Sequence, residues 1–448
     1  MRPLKIAVIG SGISGLSAAW LLSQHHNVTV IEADGRLGGH SNTVDVKLRN
    51  GGILPIDTGF IVSNTWTYPN FTALMDYLDV DMLNTKMTFS VSCDGGKYEY
   101  SGDSLGTLLG RARQWISPRH WHLVADLVRF YKTVENQSRS NAADLTLGQF
   151  LQHNRYSNSF IDRHILPIAG AIWSSSPDAI ASYPLHSFVK FFSNHKLFML
   201  GDRPDWQTVK GGSREYLARL VADGKFETRL GQAVSAISRA DHGVDVQCEN
   251  GARGRFDHVV VATHADQALR LLADPSDLER SLLGAFRTSR NRAILHRDAS
   301  LMPQCRRFWS GWNYRGSDVD NGLVNVTYWM NALQKLESSE NHFVSLNPGH
   351  EPASGSVDGE FVYRHPVFDP GTLAAQHELW NLQGVNRTWF AGAWFGDGFH
   401  EDGLQAGLAV AEQLGGVRRP WSVAEENGRI HVKPPLLPTG HELIQATP

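Results

Sequence analysis

Cysteine is scarce: the 448 residues hold three, Cys93, Cys248 and Cys305, far apart and in no C-x-x-C spacing. That argues against a disulfide framework and suits a reducing compartment, so the expected location is the cytoplasm. An excess of charge of either sign is lacking too. The 42 Lys and Arg against 45 Asp and Glu leave a net charge of −3, which makes no general basic field and argues against nucleic acid as a partner. No run of about eighteen uncharged apolar residues occurs, so no segment is expected to cross a bilayer. The first apolar strand starts a few residues after Met1, too early for a signal peptide. Metal-ligand spacing is missing despite 20 histidines. No pair sits four apart, and His25-His26 and His120-Trp121-His122 have no acid or cysteine beside them, so no metal is expected. What the chain does have is 42% hydrophobic residues and 10% aromatics, enough for a large core over about two domains.

The densest information lies at the start. Lys5 to Ile9 is an apolar strand, Gly10, Gly12 and Gly15 punctuate a turn, and Leu16, Ala19, Trp20 and Leu22 continue as a helix. Gly10 permits the tight turn, Gly12 lacks the Cβ that would block a pyrophosphate, and Gly15 lets helix and strand pack closely. Ile13 and Ser14 open the helix, whose N-terminus favours phosphate. A second strand, Val28 to Ile31, ends in Glu32, an acid placed to grip ribose hydroxyls. An ordinary glycine-rich βα turn is the bland alternative, and strand, helix and acid together disfavour it.

The continuation Glu32, Ala33, Arg36, Gly38, Gly39 resembles the acid-x-x-x-Arg-x-Gly-Gly run of the FAD-dependent amine oxidoreductase superfamily, which includes monoamine oxidases, protoporphyrinogen oxidase and phytoene desaturases. His40 stands where that family usually has Arg. Similar resemblances follow at Asp57-Thr58-Gly59, at Gly211-Gly212, at the strand leading to Val234, at Ala262-Thr263-His264, and at the closing run from Thr388 to Gly407. The resemblance implies an α/β fold: a Rossmann-like FAD-binding domain over 1–76, 205–274 and 385–418, with an interleaved α+β substrate domain over 77–204 and 275–384. Residues 419–448 read as a surface tail.

It also implies non-covalent FAD, since no cysteine lies near the closing motif. Glu32 and Ala33 would meet the adenosine ribose and Val234 the adenine, while Arg36, Gly38, Gly39 and His40 line the path to the ribityl chain. Thr58 and Gly59 would approach the isoalloxazine, as would Ala262 and Thr263. Gly392, Ala393, Asp402, Gly403 and Leu404 would place a helix N-terminus at its N1 and C2 carbonyl, where negative charge gathers on reduction. His296, His400 and Glu401 are the candidate bases, although a hydride abstraction can dispense with one.

The runs around His40 to Thr43, Tyr68 to Asn70, His365 to Asp369 and Gly398 to Gly403 resemble one branch of the superfamily. That branch is linked to cyclopropane-fatty-acid-synthase-type enzymes and furan fatty acid formation. The expected function is therefore oxidation or dehydrogenation of a lipid-like substrate, an unsaturated or methylated fatty acyl chain, by hydride transfer to flavin N5. An isoprenoid desaturase, a flavin amine oxidase, or a GDP-dissociation-inhibitor-like binding protein of the same fold are the alternatives. The stretch 105–133 mixes leucines and tryptophans with Arg111, Arg113, Arg119, Arg129 and Lys132. It reads either as a peripheral membrane contact or as a packed helical hairpin with snorkelling arginines. The oligomeric state is not legible.

Overall fold

The structure, a computed structural model, describes residues 2–141, 145–173, 175–195, 197–198, 205–316 and 324–434. The chain divides into two compact units, one of 1–39, 220–285 and 372–448, the other of 40–219 and 286–371. These boundaries put 40–76 and 205–219 in the second unit, where the sequence suggested the nucleotide domain.

The first unit is built on a five-stranded parallel sheet in the order Glu227–Arg229, Asn27–Ile31, Lys5–Ile9, His258–Val261, Thr388–Phe390. Its central strands are short runs rich in Val and Ile, as a sheet buried on both faces requires. Helix Ile13–Leu22 is buried at every position, and helix His400–Gly415 is buried from Glu401 to Ala411. It is enclosed because glycines let it lie against the first helix: a Cβ on Gly407 would come within 2.2 Å of Ser14 O, and one on Gly403 within 2.8 Å of Ser14 Oγ. A small antiparallel meander, Val234–Ala240, Gly243–Cys248 and Arg253–Phe256, accompanies the sheet.

The expected tail is packed as far as residue 434. Arg419 is 2% exposed and donates to Glu412 through Nε at 2.8 Å and Nη2 at 2.9 Å. Trp421 stacks on Trp20 at 5.8 Å. Polarity misled the reading, because these polar groups are satisfied by pairing with one another. Residues 435–448 lie outside the described set.

The second unit carries a seven-stranded sheet in the order Val357–Val367, Arg287–His296, Phe343–Leu346, Val326–Trp329, Trp312–Arg315, Phe89–Cys93, Tyr98–Ser101. All neighbours are antiparallel except Trp312–Arg315 beside Phe89–Cys93. Strand alternation gives its two faces different chemistry. Ala293, Leu295, Val344 and Leu346 join an apolar cluster with Ile56, Met330 and Tyr363. The opposite face carries a buried polar row: Ser90 donates to Asn313 (2.8 Å), Thr327 meets Ser345 (2.7 Å), and Ser345 meets His296 Nε2 (2.8 Å).

Helices Pro118–Asn141, Leu147–His153, Leu166–Trp173 and Leu185–Asn194 enclose an aromatic core that includes Phe130, Phe150, Phe160, Phe188 and Phe192. The phenylalanines of the run Phe188 to Phe192 are core. Residues 199–204 of that neighbourhood lie outside the described set. Asp57 ties three segments together. It accepts from Ser213 N at 3.0 Å, Ser213 Oγ at 2.8 Å, Thr43 Oγ1 at 2.6 Å and Gln334 Nε2 at 2.9 Å.

Two histidines of this unit are held neutral by burial. His164, between Tyr100 and Tyr131, and His296 are each pushed down to about 4. An unfolded imidazole titrates near 6.5, so between pH 6.5 and 4 the unfolded chain binds the extra proton and the stability present above that window is lost as pH falls. The low-pH limit is about 3 kcal/mol per group. Asp57 and Asp402, pushed up to about 6 and about 7 by burial, titrate in the opposite sense. The measurement is therefore the difference in urea midpoint between wild type and His296→Gln at each pH. We expect wild type to lose ground steadily relative to the variant from pH 6.5 to 4; parallel curves would contradict a neutral His296.

Candidate cofactor site

The first unit assembles a cradle from three loops. Gly10, at φ +97°, donates to Ile31 O at 2.9 Å, which fastens the turn to the second strand. A Cβ on Gly15 would lie 2.0 Å from Gly10 O, so only glycine allows the helix to start there. A Cβ on Gly12 would meet nothing within 4 Å. It would project into open space at the helix N-terminus beside Ile13 and Ser14, where backbone N–H groups and the helix dipole favour an anion.

Glu32 fixes the loop from below, accepting from Ser11 N (2.7 Å), Ser11 Oγ (2.6 Å) and Asp34 N (2.9 Å). The second loop closes over the first. Gly38 donates to Ser11 O at 3.0 Å, and a Cβ on Gly39 would sit 3.1 Å from Gly12 Cα. Arg36 donates from Nη2 to Gly39 O at 2.8 Å. In the structure its guanidinium braces the Gly38-Gly39 loop. Gly231 and Gln232 donate to Asp34 O and Glu32 O at 2.9 and 2.8 Å, which brings the strand beginning at Val234 alongside the ribose-type acid and its neighbour Ala33.

The third loop leads from strand His258–Val261 into helix Ala265–Leu271. Ala262 donates to Ile9 O, and Thr263 O accepts from Trp394 Nε1 at 3.0 Å. Gly392 and Ala393 follow, and the carbonyl of Ala393 accepts from Gly396 and Gly398, both at 3.1 Å. Helix His400–Gly415 starts two residues before the expected Asp402-Gly403, with Leu404 fully buried in its first turns. A Cβ on Gly403 would lie 3.6 Å from Ala393 N, so the Ala393 backbone and the first turn of this helix share one small space.

Asp402 is buried and caps the helix by accepting from Phe399 N at 2.7 Å. It also receives Arg429 Nε at 2.5 Å. Burial pushes its carboxyl up to about 7 against the pull of Arg429. Arg429 is the participant the sequence reading missed, since nothing in the polar segment after 418 marks it out.

Three loops of the first unit thus converge around Gly12, with an open anion-favouring helix start, an acid at the end of the second strand, and a second helix start at Gly403. This donor set fits FAD, whose long dinucleotide needs a pyrophosphate cradle and a ribose acid.

The three base candidates fare differently. His296 lies on the polar face of the second unit's sheet, opposite in strand alternation to Leu295 and the Tyr363 cluster. Its Nδ1 accepts from Asp298 N at 3.1 Å, so Nε2 donates to Ser345. Both of its nitrogens are thus engaged and the ring is fully buried. Glu401 is fully buried and accepts from Gln405 Nε2 at 3.0 Å. The half-buried His400 is held well below the ordinary imidazole range by burial.

In the second unit, His40 O accepts from Phe60 N at 2.8 Å, and a Cβ on Gly59 would lie 2.2 Å from that same oxygen. Thr58 Oγ1 meets Tyr363 OH at 2.6 Å, and Asn42 Nδ2 donates to both. The His40 ring lies 5.1 Å from Tyr363 and 5.4 Å from His365. Asn42, Tyr363 and His365 carried no role in the sequence reading, and only the fold brings them together.

Comparison with known proteins agrees with this geometry. The family model described as flavin containing amine oxidoreductase matches residues 13–295. An L-amino acid dehydrogenase of Synechocystis sp. is 25% identical over 290 residues, 60% of this chain and 57% of its own, so the chain spans little more than half of that relative. Among solved structures, one named for protoporphyrinogen oxidase from Exiguobacterium sp. 255-15 superposes over 93% of this chain and 99% of its own with a TM-score of 0.67 at 16% identity. A CLA-producing fatty acid isomerase from P. acnes does so over 91% and 97%, with a TM-score of 0.65 at 16% identity. At such identities these two share the fold.

Proposed function

Because the chain belongs to the flavin containing amine oxidoreductase family, we propose that it is an FAD-dependent oxidoreductase that oxidises or dehydrogenates a lipid-like substrate, an unsaturated or methylated fatty acyl chain. FAD, held without a covalent link, would supply the two-electron acceptor for a hydride, the accompanying proton passing to solvent. The chain's own residues bind and orient. Gly12, Ile13 and Ser14 present the helix start to the pyrophosphate, Glu32 takes the ribose, and Arg36 keeps Gly38-Gly39 closed. The N-terminus of helix His400–Gly415 carries about half an elementary charge and favours negative charge developing beside Ala393 and Gly403.

The observation that carries the lipid reading is a group of exposed apolar side chains within one short segment of the second unit. Leu105 and Ile116 are 82% and 86% exposed, Trp115 and Trp121 about half. Trp121 Nε1 donates to Trp115 O at 2.8 Å, which joins the two tryptophans into one ledge. Arg113 and Arg119 are exposed beside them. Arg111 is bound to the buried Glu99 at 2.6 Å and Arg129 to Asp126 at 2.9 Å, so the basic stretch divides into a packed part and a surface part. Among the described residues no helix is long and apolar enough to cross a membrane. Such a ledge suits shallow docking on an anionic bilayer, the natural source of a long acyl substrate. The fatty acid isomerase with this fold lends the lipid reading further support, whereas the similarity to an L-amino acid dehydrogenase favours amine oxidation as the second reading.

Anaerobic bleaching of the flavin across a panel of unsaturated acyl chains, isoprenoids and amines tests the reaction. Bleaching by acyl chains is expected, and bleaching by amines alone would replace the lipid reading with the second one. For docking, two arginines contribute about 1 kcal/mol each at an anionic surface. Arg113→Glu with Arg119→Glu should therefore lower co-sedimentation with phosphatidylserine vesicles at least tenfold at low salt. Equal sedimentation of variant and wild type would make the ledge ordinary surface.

A further inference from the structure

The start of helix His400–Gly415 carries more charge than a helix start does alone. Asp402 lies in its first turn with no exposed surface, and its carboxylate accepts from Phe399 N at 2.7 Å. A helix N-terminus is worth about half a positive elementary charge, so one buried carboxylate there reverses the sign, to about minus one half. Arg429 reverses it again. Its guanidinium donates to both carboxylate oxygens, from Nε at 2.5 Å and from Nη2 at 3.2 Å, which returns the sum to about plus one half. Arg429 is held in turn: its backbone N donates to Gln405 Oε1 at 3.1 Å, and the carboxylate of Asp397 stands 3.8 Å from Nη2.

This charge cluster sits beside the cradle, inside the first unit. A Cβ on Gly403, the next residue, would come 2.8 Å from Ser14 Oγ and 2.9 Å from Ile13 Cγ2, the two residues that follow the open position at Gly12. Other titratable groups surround Asp402. Asp397 lies on the loop before the helix. Glu401, one residue earlier, is turned about 100° round the helix and accepts from Gln405 Nε2. His400 is held neutral by burial. The first helix presents Ile13 and Ser14, which do not titrate near neutral pH. Burial pushes the Asp402 carboxyl up to about 7 against the pull of Arg429, with Asp397 adding to the rise. The side chains of Arg429 and Asp397 are 13% and 32% exposed, so the cluster can exchange a proton with solvent on that side.

We propose that Asp402 is a redox-linked proton site: a proton from solvent joins its buried carboxylate when bound FAD is reduced, and Arg429 keeps the carboxylate ionised until then. Reduction by a hydride adds one negative charge to the cofactor, and the proton taken up by Asp402 offsets it at the helix start. No electron passes through the pair, and Asp402 touches no reacting atom. It sets the potential of the bound cofactor and ties that potential to pH. The inference rests on FAD meeting the start of this helix, as in the reading given above, and on nothing about the substrate.

The test compares FAD-loaded wild type with Asp402→Asn. Photoreduction beside a reference dye gives the equilibrium constant for reduction at each pH. With the carboxylate gone, that constant should be at least tenfold larger in the variant at pH 9, about 30 mV for a two-electron couple. The advantage should fade toward pH 5.5, where Asp402 is protonated in both proteins. A ratio near one at pH 9, or one that does not change with pH, would overturn the proposal and leave FAD binding intact. Infrared difference spectra of wild type, reduced minus oxidised, need no variant to fold. At pH 8 a protonated-carboxyl C=O band should form on reduction, and its absence would overturn the proposal. Where the variant folds, the band should be missing from it; a band that persists in Asp402→Asn puts the proton elsewhere and overturns the assignment too. Wild type that takes up no FAD would defeat the cofactor reading itself, and this inference with it, before any reduction is attempted.

Discussion

Replacing Arg429 by Met is expected to destabilise the protein by about 3–5 kcal/mol at pH 8, the range for removing one partner of a buried ion pair. Asp402 has no exposed surface, and besides the cap to Phe399 N its Oδ1 receives Arg429 Nε at 2.5 Å. Without the guanidinium the carboxylate stays buried at a helix start with one strong donor left. Its pKa, already about 7 through burial, must rise further. The variant therefore takes up a proton, so the deficit should shrink as pH is lowered from 8 to 6. Urea unfolding of apoprotein at both pH values reads this. A deficit under 1 kcal/mol at pH 8, or one that does not change with pH, would show that the pair carries little. Asp402→Asn in the same background should recover part of the loss, because a neutral amide accepts from Phe399 N without an uncompensated charge.

The second large effect contrasts two glycines three residues apart. Gly15→Ala puts a Cβ 2.0 Å from the carbonyl oxygen of Gly10, a backbone atom that cannot step aside. The start of the helix must shift, with a cost of about 3 kcal/mol or more, within the range for overpacking in a rigid core. FAD should be lost with it. Gly12→Ala puts its Cβ where nothing lies within 4 Å. The apoprotein should melt within about 2 °C of wild type, since a surface-type change is worth about 0.5 kcal/mol or less. Its affinity for FAD should nevertheless fall at least a hundredfold, as the methyl group takes the position the pyrophosphate needs. Thermal melts of apoprotein and fluorescence titration with FAD give the two readings. Gly12→Ala protein that binds FAD as wild type does would mean that the pyrophosphate lies elsewhere.

How much of this could be read in the sequence depends on whether the determinant is local. The strand, turn and helix from Lys5 to Leu22 are fixed by neighbours within twenty residues, and glycine spacing announces them. The run from Thr388 to Gly407 is legible for the same reason, and the buried strand His258–Val261 shows in its unbroken β-branched residues. The seven-stranded sheet was less accessible, because it sets Phe89–Cys93 beside Trp312–Arg315 across more than two hundred residues. Its division into an apolar and a polar face needs the pairing partners, and with it goes the real position of His296. Arg429 looked like tail because a polar segment that pairs internally has the same composition as one that is solvated. Asn42, Asn291 and His365 are individually commonplace, and the bonds of Asn42 to Tyr363 and of Asn291 to His365 join residues far apart in the sequence.

The glycine-lined contact between helix Ile13–Leu22 and helix His400–Gly415 also governs when the protein can become native during synthesis. The first helix is buried on all sides, yet the partner that covers one of those sides is encoded almost four hundred residues later. At translation rates of 5–20 residues per second, roughly 20–80 s separate their emergence from the ribosome. For that time Trp20 and the apolar residues around it have no native cover, since Trp421 is made later still. The nucleotide cradle is therefore begun early and finished only after helix His400–Gly415 has been made. The nascent chain should depend on chaperone protection until the segment through Trp421 has emerged.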